Sequence, residues 1–133
     1  MGRRKSEIDS VSRRYIEGVL LKYPLLKKRL EQEYEQIKRA YPEKGAVNGK
    51  ELIKTMDTLM LINLERNVQA VEDTVKTLND SEAKVFYKLY VEGKSKQATA
   101  IECYISIETL YRRNRKIIKE AGRNLGVFFE YKY

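Results

Sequence analysis

Histidine and tryptophan are absent from this sequence, and cysteine occurs once, as Cys103. Without histidine there is no imidazole acid–base chemistry, no serine–histidine triad and no Glu-x-x-His pair to hold a metal. A single cysteine closes no intramolecular disulfide and cannot build a zinc site. Cys103 therefore reads as a packed thiol rather than a nucleophile, in a chain suited to a reducing cytoplasm. Long apolar runs are also missing. The longest is Leu59-Met60-Leu61-Ile62, far short of the roughly 20 residues that span a bilayer, so no membrane is expected as a partner. Arg3, Arg4 and Lys5 are followed by polar residues, and no signal peptide is expected. These absences argue against an enzyme, and neither a cofactor nor a metal is expected.

What the sequence has in excess is charge. Lysine and arginine number 27 against 19 acids, a formal net charge of +8 in 133 residues. Apolar residues make up 42%, enough for a core, so the basic excess belongs to a folded protein suited to a polyanion.

The chain reads as helix almost throughout. Ile8, Val11, Tyr15, Val19 and Leu21 recur at helical spacing and predict an inward stripe on a first helix from Ser6 to Lys22. Pro24 is expected to end it and open a second helix, whose stripe is Leu26, Leu30, Tyr34 and Ile37. Residues 41–49, with one proline, two glycines and an asparagine, predict a loop. Leu52, Met56, Met60 or Leu59, Leu64, Val68, Val71, Val75 and Leu78 then predict a long spine helix from about Lys50 to Leu78. Its near-heptad spacing admits a dimer seam, although an intramolecular core stripe is the simpler reading. Asp57, Glu65, Glu72 and Asp73 along it read as surface acids rather than a carboxylate metal site. The end, Val127 to Tyr133, alternates like a strand in search of a partner.

Between these parts lie three short helices. Asn79 with Glu82 forms a capping-box pattern, and Gly93 offers a left-handed stop. Ser95 can cap a second helix and Ser106 a third that runs to about Ala121. A short helix, a tight turn at Tyr104-Ile105 and a capped basic helix make a helix-turn-helix, whose last helix enters the DNA major groove. Leu110, Asn114, Ile117, Ile118 and Ala121 belong to its inner face. Glu108, Tyr111, Arg112, Arg115 and Lys119 recur on the outer one. Arginine pairs with guanine O6 and N7, and glutamate accepts from cytosine N4, so Glu108, Tyr111, Arg112 and Arg115 are the expected base readers. Ser95, Lys96, Ser106, Arg113, Lys116 and Lys119 are the expected phosphate contacts. Residues 94–123 hold eight lysines and arginines against three acids, a net +5, so the basic excess gathers in this motif. A solvated charged face is the plain alternative. Arg3-Arg4-Lys5 and Arg13-Arg14 suit an additional basic arm or a frayed terminus, and the tyrosines suit packing more than base stacking.

Gly93-x-Ser95-x3-Thr99-Ala100-x2-Cys103-Tyr104-Ile105-Ser106-x2-Thr109-Leu110 resembles the helix-turn-helix of sigma factor region four and of response-regulator effector domains. Three positions depart from the pattern: Thr99 stands for an aliphatic residue, Cys103 for leucine and Tyr104 for a turn glycine. At this length, with a Leu21-Lys-Tyr-Pro-Leu25 junction, the whole chain resembles a phage late-transcription activator of the RinA/ArpU type. That resemblance implies double-stranded DNA and RNA polymerase as partners and a bacterial host cytoplasm as location.

The expectation is thus an all-α protein. Residues 1–77 are expected to form an N-terminal three-helix unit with a long spine helix, residues 78–122 a sigma-like helix-turn-helix and residues 123–133 a tail. Its expected function is sequence-specific regulation of transcription through the 106–121 helix. The alternatives are a small terminase subunit that recognises phage DNA and an adaptor that binds polymerase or a sigma factor. A homo-oligomer fits either DNA-binding reading.

Overall fold

The computed structural model describes residues 6–7, 9–40, 57–127 and 130–131. The fold is all-α. Its helices are α1 (Ser10–Ala40), α2 (Asp57–Thr77), α3 (Asp80–Phe86), α4 (Lys96–Glu102) and α5 (Ile107–Leu125). The last turn of α3 widens into a π-helical segment, Tyr87–Val91. The one strand pairing among the described residues is a two-residue antiparallel ladder, β1 (Ser6–Glu7) with β2 (Glu130–Tyr131), with Ser6 opposite Tyr131. The expected tail strand thus pairs with the start of the chain.

The helix break expected at Pro24 does not occur. α1 runs through Pro24 for 31 residues, so the N-terminal unit has two described helices rather than three. A proline inside a helix leaves one carbonyl without its N–H partner and costs about 3 kcal/mol. Burial on both sides of it outweighs that. Ile16, Val19, Leu20 and Leu30 are buried on one face of α1, with Tyr23 and Leu26 half-buried between them. Each buried aliphatic side chain contributes about 1.5–3 kcal/mol, and together they exceed the penalty.

That face is also not the one predicted for the first half of α1. Of the predicted stripe, Val11, Tyr15 and Leu21 point to solvent and Val19 goes inward as expected, joined there by Ile16 and Leu20. In α2, Leu61 is buried and Leu59 and Met60 are exposed, whereas Leu64, Val68 and Val71 are inside as expected. The described part of the α2 stripe thus packs within the chain, on α1 and the C-terminal helices. The predicted loop at 41–49 and the start of the spine helix, residues 50–56, lie outside the described residues.

One core serves α1, α2 and the three C-terminal helices. Ile16, Leu20, Val71, Val85, Phe86, Leu110, Ile117 and Ala121 belong to a single buried cluster. A smaller one, Leu30, Leu61, Leu64 and Val68, zips the far ends of α1 and α2. Three polar pairs reinforce the α1–α2 contact. Tyr23 Oη and Lys27 Nζ both donate to Glu72, at 2.9 and 2.5 Å, and Tyr34 Oη donates to Glu65. Among the described residues, no helix is long and apolar enough to cross a membrane, and no cluster of acidic and cysteine side chains is arranged to hold a metal.

Candidate nucleic-acid interface

Local sequence chemistry builds the helix-turn-helix. At the start of α3, Asn79 Oδ1 accepts from Glu82 N at 2.9 Å, and Glu82 Oε1 accepts from Asn79 N at 3.0 Å. Both halves of the capping box are therefore made. Ser95 Oγ accepts from Ala98 N at 3.0 Å to start α4, and Ser106 Oγ accepts from Thr109 N at 3.1 Å to start α5.

The helix ends follow one pattern. At the end of α5, Gly126 is left-handed at φ +81, and Val127 N reaches back to Gly122 O. At the end of the π segment, Gly93 is left-handed at φ +70, and Lys94 N reaches Lys88 O. This closure is one residue longer because Glu92 N already bonds Tyr87 O in the π register. At the turn between α4 and α5 the same closure is made without glycine. Ile105 N donates to Ala100 O and Tyr104 N to Ile101 O, with Tyr104 left-handed at φ 57 and 91% exposed. The turn keeps the form that glycine favours, although a side chain occupies its left-handed position.

The inner face of α5 is as expected: Leu110, Asn114, Ile117, Ile118 and Ala121 are buried. Asn114 is the polar member. Tyr90 Oη donates to its Oδ1 at 2.5 Å across the core. Burial, with Glu17 nearby, pushes the Tyr90 phenol well above its usual range, so it stays protonated and able to donate. Thr99, which stands where the motif has an aliphatic residue, is fully buried, and its hydroxyl finds no partner among the described residues. Cys103 is half-buried against the core, as its packed reading requires.

Around α5 the expected site residues separate into three groups. Glu108, Arg112 and Arg115 are exposed on the outer face, with Lys119 half-buried beside them. Arg112, Arg115 and Lys119 make no ion pair with any described residue. On one flank, Lys96 from the start of α4 lies over the Tyr111 ring, 5.6 Å from its centroid, which joins Ser95, Lys96 and Tyr111 into one edge. On the other flank, Lys116 Nζ donates to Glu82 Oε2 at 2.9 Å, and Arg113 is half-buried beside the same carboxylate. Glu82 is buried, which by itself would raise its carboxyl. The bonds from Lys116 and the Asn79 N–H, with Arg113, outweigh that and hold it below the ordinary glutamate value. Lys116, expected at a phosphate, is thus tied to the start of α3.

A cluster that the sequence reading did not foresee braces the turn. Glu102, at the end of α4, accepts from Lys88 Nζ at 2.8 Å and from Lys94 Nζ at 3.1 Å, and both lysines also approach Glu92. Those two bonds hold the Glu102 carboxyl low, and the bond to Glu102 raises Lys88. The partners are 8 and 14 residues from Glu102. The three residues lie in different segments of the chain, so helical periodicity does not relate them, and only the folded turn brings them together.

No protein-family model matches this sequence, and no curated protein or solved structure is significantly similar to it.

Proposed function

We propose that this protein binds double-stranded DNA in a sequence-specific manner and regulates transcription, with α5 lying in the major groove. The observation that carries this reading is how the basic side chains of the motif are disposed. Lys88, Lys94, Lys116 and Arg123 each have an acidic partner, whereas Arg112, Arg115 and Lys119, on the outer face of α5, have none among the described residues. Lys96 and Arg113 flank that face, also without an ion pair among the described residues, so the cations free to meet a duplex gather around α5. Unpaired guanidinium groups at helical spacing beside a capped turn match what a duplex groove requires.

Arg112 and Arg115 are assigned to base edges, with Glu108 and Tyr111 at the start of the same helix. The free N–H groups behind Ser95 and Ser106, with Lys96 and Lys119, are assigned to phosphates. Arg113 belongs with the Glu82 flank. The likeness to phage late-gene activators favours an activating role with RNA polymerase as a second partner, over terminase and adaptor roles.

The test is selection from a random duplex pool, followed by titration of the enriched site across a salt series. One motif should be enriched. Log affinity should fall linearly with log salt, with a slope of roughly −0.9 for each phosphate contacted. Absence of enrichment together with salt-independent binding would refute the proposal.

A further inference from the structure

We infer that the outer face of α1 is a self-association surface on which a second copy of this chain packs antiparallel, crossing at Gly18. Four large apolar side chains stand on that face in solvent. Val11 is 74% exposed, Tyr15 50%, Leu21 54% and Leu25 70%. Val11, Leu21 and Leu25 stand away from the side on which α1 buries Ile16, Leu20 and Leu30, whereas Tyr15 borders it, one turn before buried Val19 and beside a cleft lined by Ala70 of α2 and Arg123 of α5. At half to three-quarters exposure they present roughly 400–500 Å² of apolar surface per copy, in the range that marks interaction sites on monomers. Two copies that covered these side chains fully would bury roughly 800–1,000 Å² from them, which reaches the lower bound for a specific interface only at its upper end.

The spacing selects the occupant. Relative to Gly18 the four residues stand at −7, −3, +3 and +7. A twofold antiparallel pair centred on position 18 places each residue opposite its mirror in sequence, so Val11 meets Leu25 and Tyr15 meets Leu21, twice over. Self-complementarity of this kind is what an isologous dimer needs, and an unrelated partner would not require it. Gly18 supports the same reading. A Cβ there would meet nothing within 4 Å among the described residues, so none of them requires glycine in the middle of α1. Glycine weakens a helix relative to alanine, yet it permits close approach of a second helix at a crossing point. The face lies opposite the residues of α1 that pack on the core shared with α5, so a second copy and DNA would use different surfaces.

Two cations stand within this face. Arg14 and Lys22, both exposed, are at −4 and +4 and therefore come opposite each other in this register, between the apolar side chains. Their repulsion is screened by salt, so the dimer should tighten as salt rises. DNA binding should do the reverse.

The test is sedimentation of the full chain over a concentration series at low and high salt, for wild type, Leu25→Glu and Gly18→Leu. Wild type should be a reversible dimer that tightens with salt. Each substitution should weaken its Kd by at least about tenfold, and neither should lower the melting temperature at dilutions where wild type is monomeric. Monomeric wild type throughout, a dimer indifferent to both substitutions, or one that loosens with salt would overturn the inference. A drop in monomer melting temperature for Leu25→Glu would overturn it too, since the chain itself would then cover this face.

Discussion

Tyr104 shows at one residue how the turn trades stability for form. Its backbone sits at φ 57, a region that disfavours residues with a Cβ by about 1–2 kcal/mol, and its side chain is almost wholly in water. Little packing is lost by removing it. Tyr104→Gly should therefore raise the unfolding free energy by about 1 kcal/mol in urea denaturation, with the slope unchanged. A loss of stability would mean that the ring makes contacts which the exposure denies. The strain was legible in advance, because the Cys103-Tyr104-Ile105 turn falls where related motifs carry glycine. So were the caps at Asn79, Ser95 and Ser106, since a capping bond spans only three residues. The Tyr90–Asn114 bond was not, because its partners are 24 residues apart and nothing local relates them. The same distance in sequence hid the Glu102 cluster and the pairing of Lys116 with Glu82.

Among whole elements, α1 was the hardest to read. Pro24 is a strong local break signal, and only tertiary burial on both sides of it carries the helix through. The stripe predicted for its first half, with Val11, Tyr15, Val19 and Leu21, straddles two faces, since only Val19 of these lies with Ile16 and Leu20 in the core. Periodicity alone does not say which faces inward. The three C-terminal helices were legible because each begins with a side-chain cap. Their mutual fixation depends on Glu82, which closes the start of α3 and holds Lys116 of α5. Its folded-state pKa lies below the ordinary value of 4.5, so the protonated form is the one that folding disfavours. The stability it contributes is present above the unfolded value and is lost as pH falls through the folded one. Thermal melts should therefore be flat from neutral pH down to about 5 and fall steeply below about 4.5. Glu82→Gln should melt lower than wild type at neutral pH and lose less on acidification. Parallel pH curves for the two proteins would show that the carboxylate does not couple these helices.

For the whole molecule, one buried cluster ties α1 and α2 to the helix-turn-helix, so α5 shares its core with the N-terminal helices. The same arrangement divides the charge. The acids of α3 and α4 pair with the flanking lysines, while Arg112, Arg115 and Lys119 on the outer face of α5 have no acidic partner among the described residues. If that face reads bases, its members differ in kind from those that only hold the helix in place. The most direct measurement titrates wild type, Arg112→Ala and Lys116→Ala against the selected site and a scrambled duplex at fixed salt. Arg112→Ala should lose about 1–3 kcal/mol on the selected site and much less on the scrambled one, so the specificity ratio collapses. Lys116→Ala should leave that ratio nearly intact and show its effect mainly as a lower melting temperature, because its partner is Glu82. Equal losses on both duplexes for Arg112→Ala would contradict the account and reduce α5 to an electrostatic anchor.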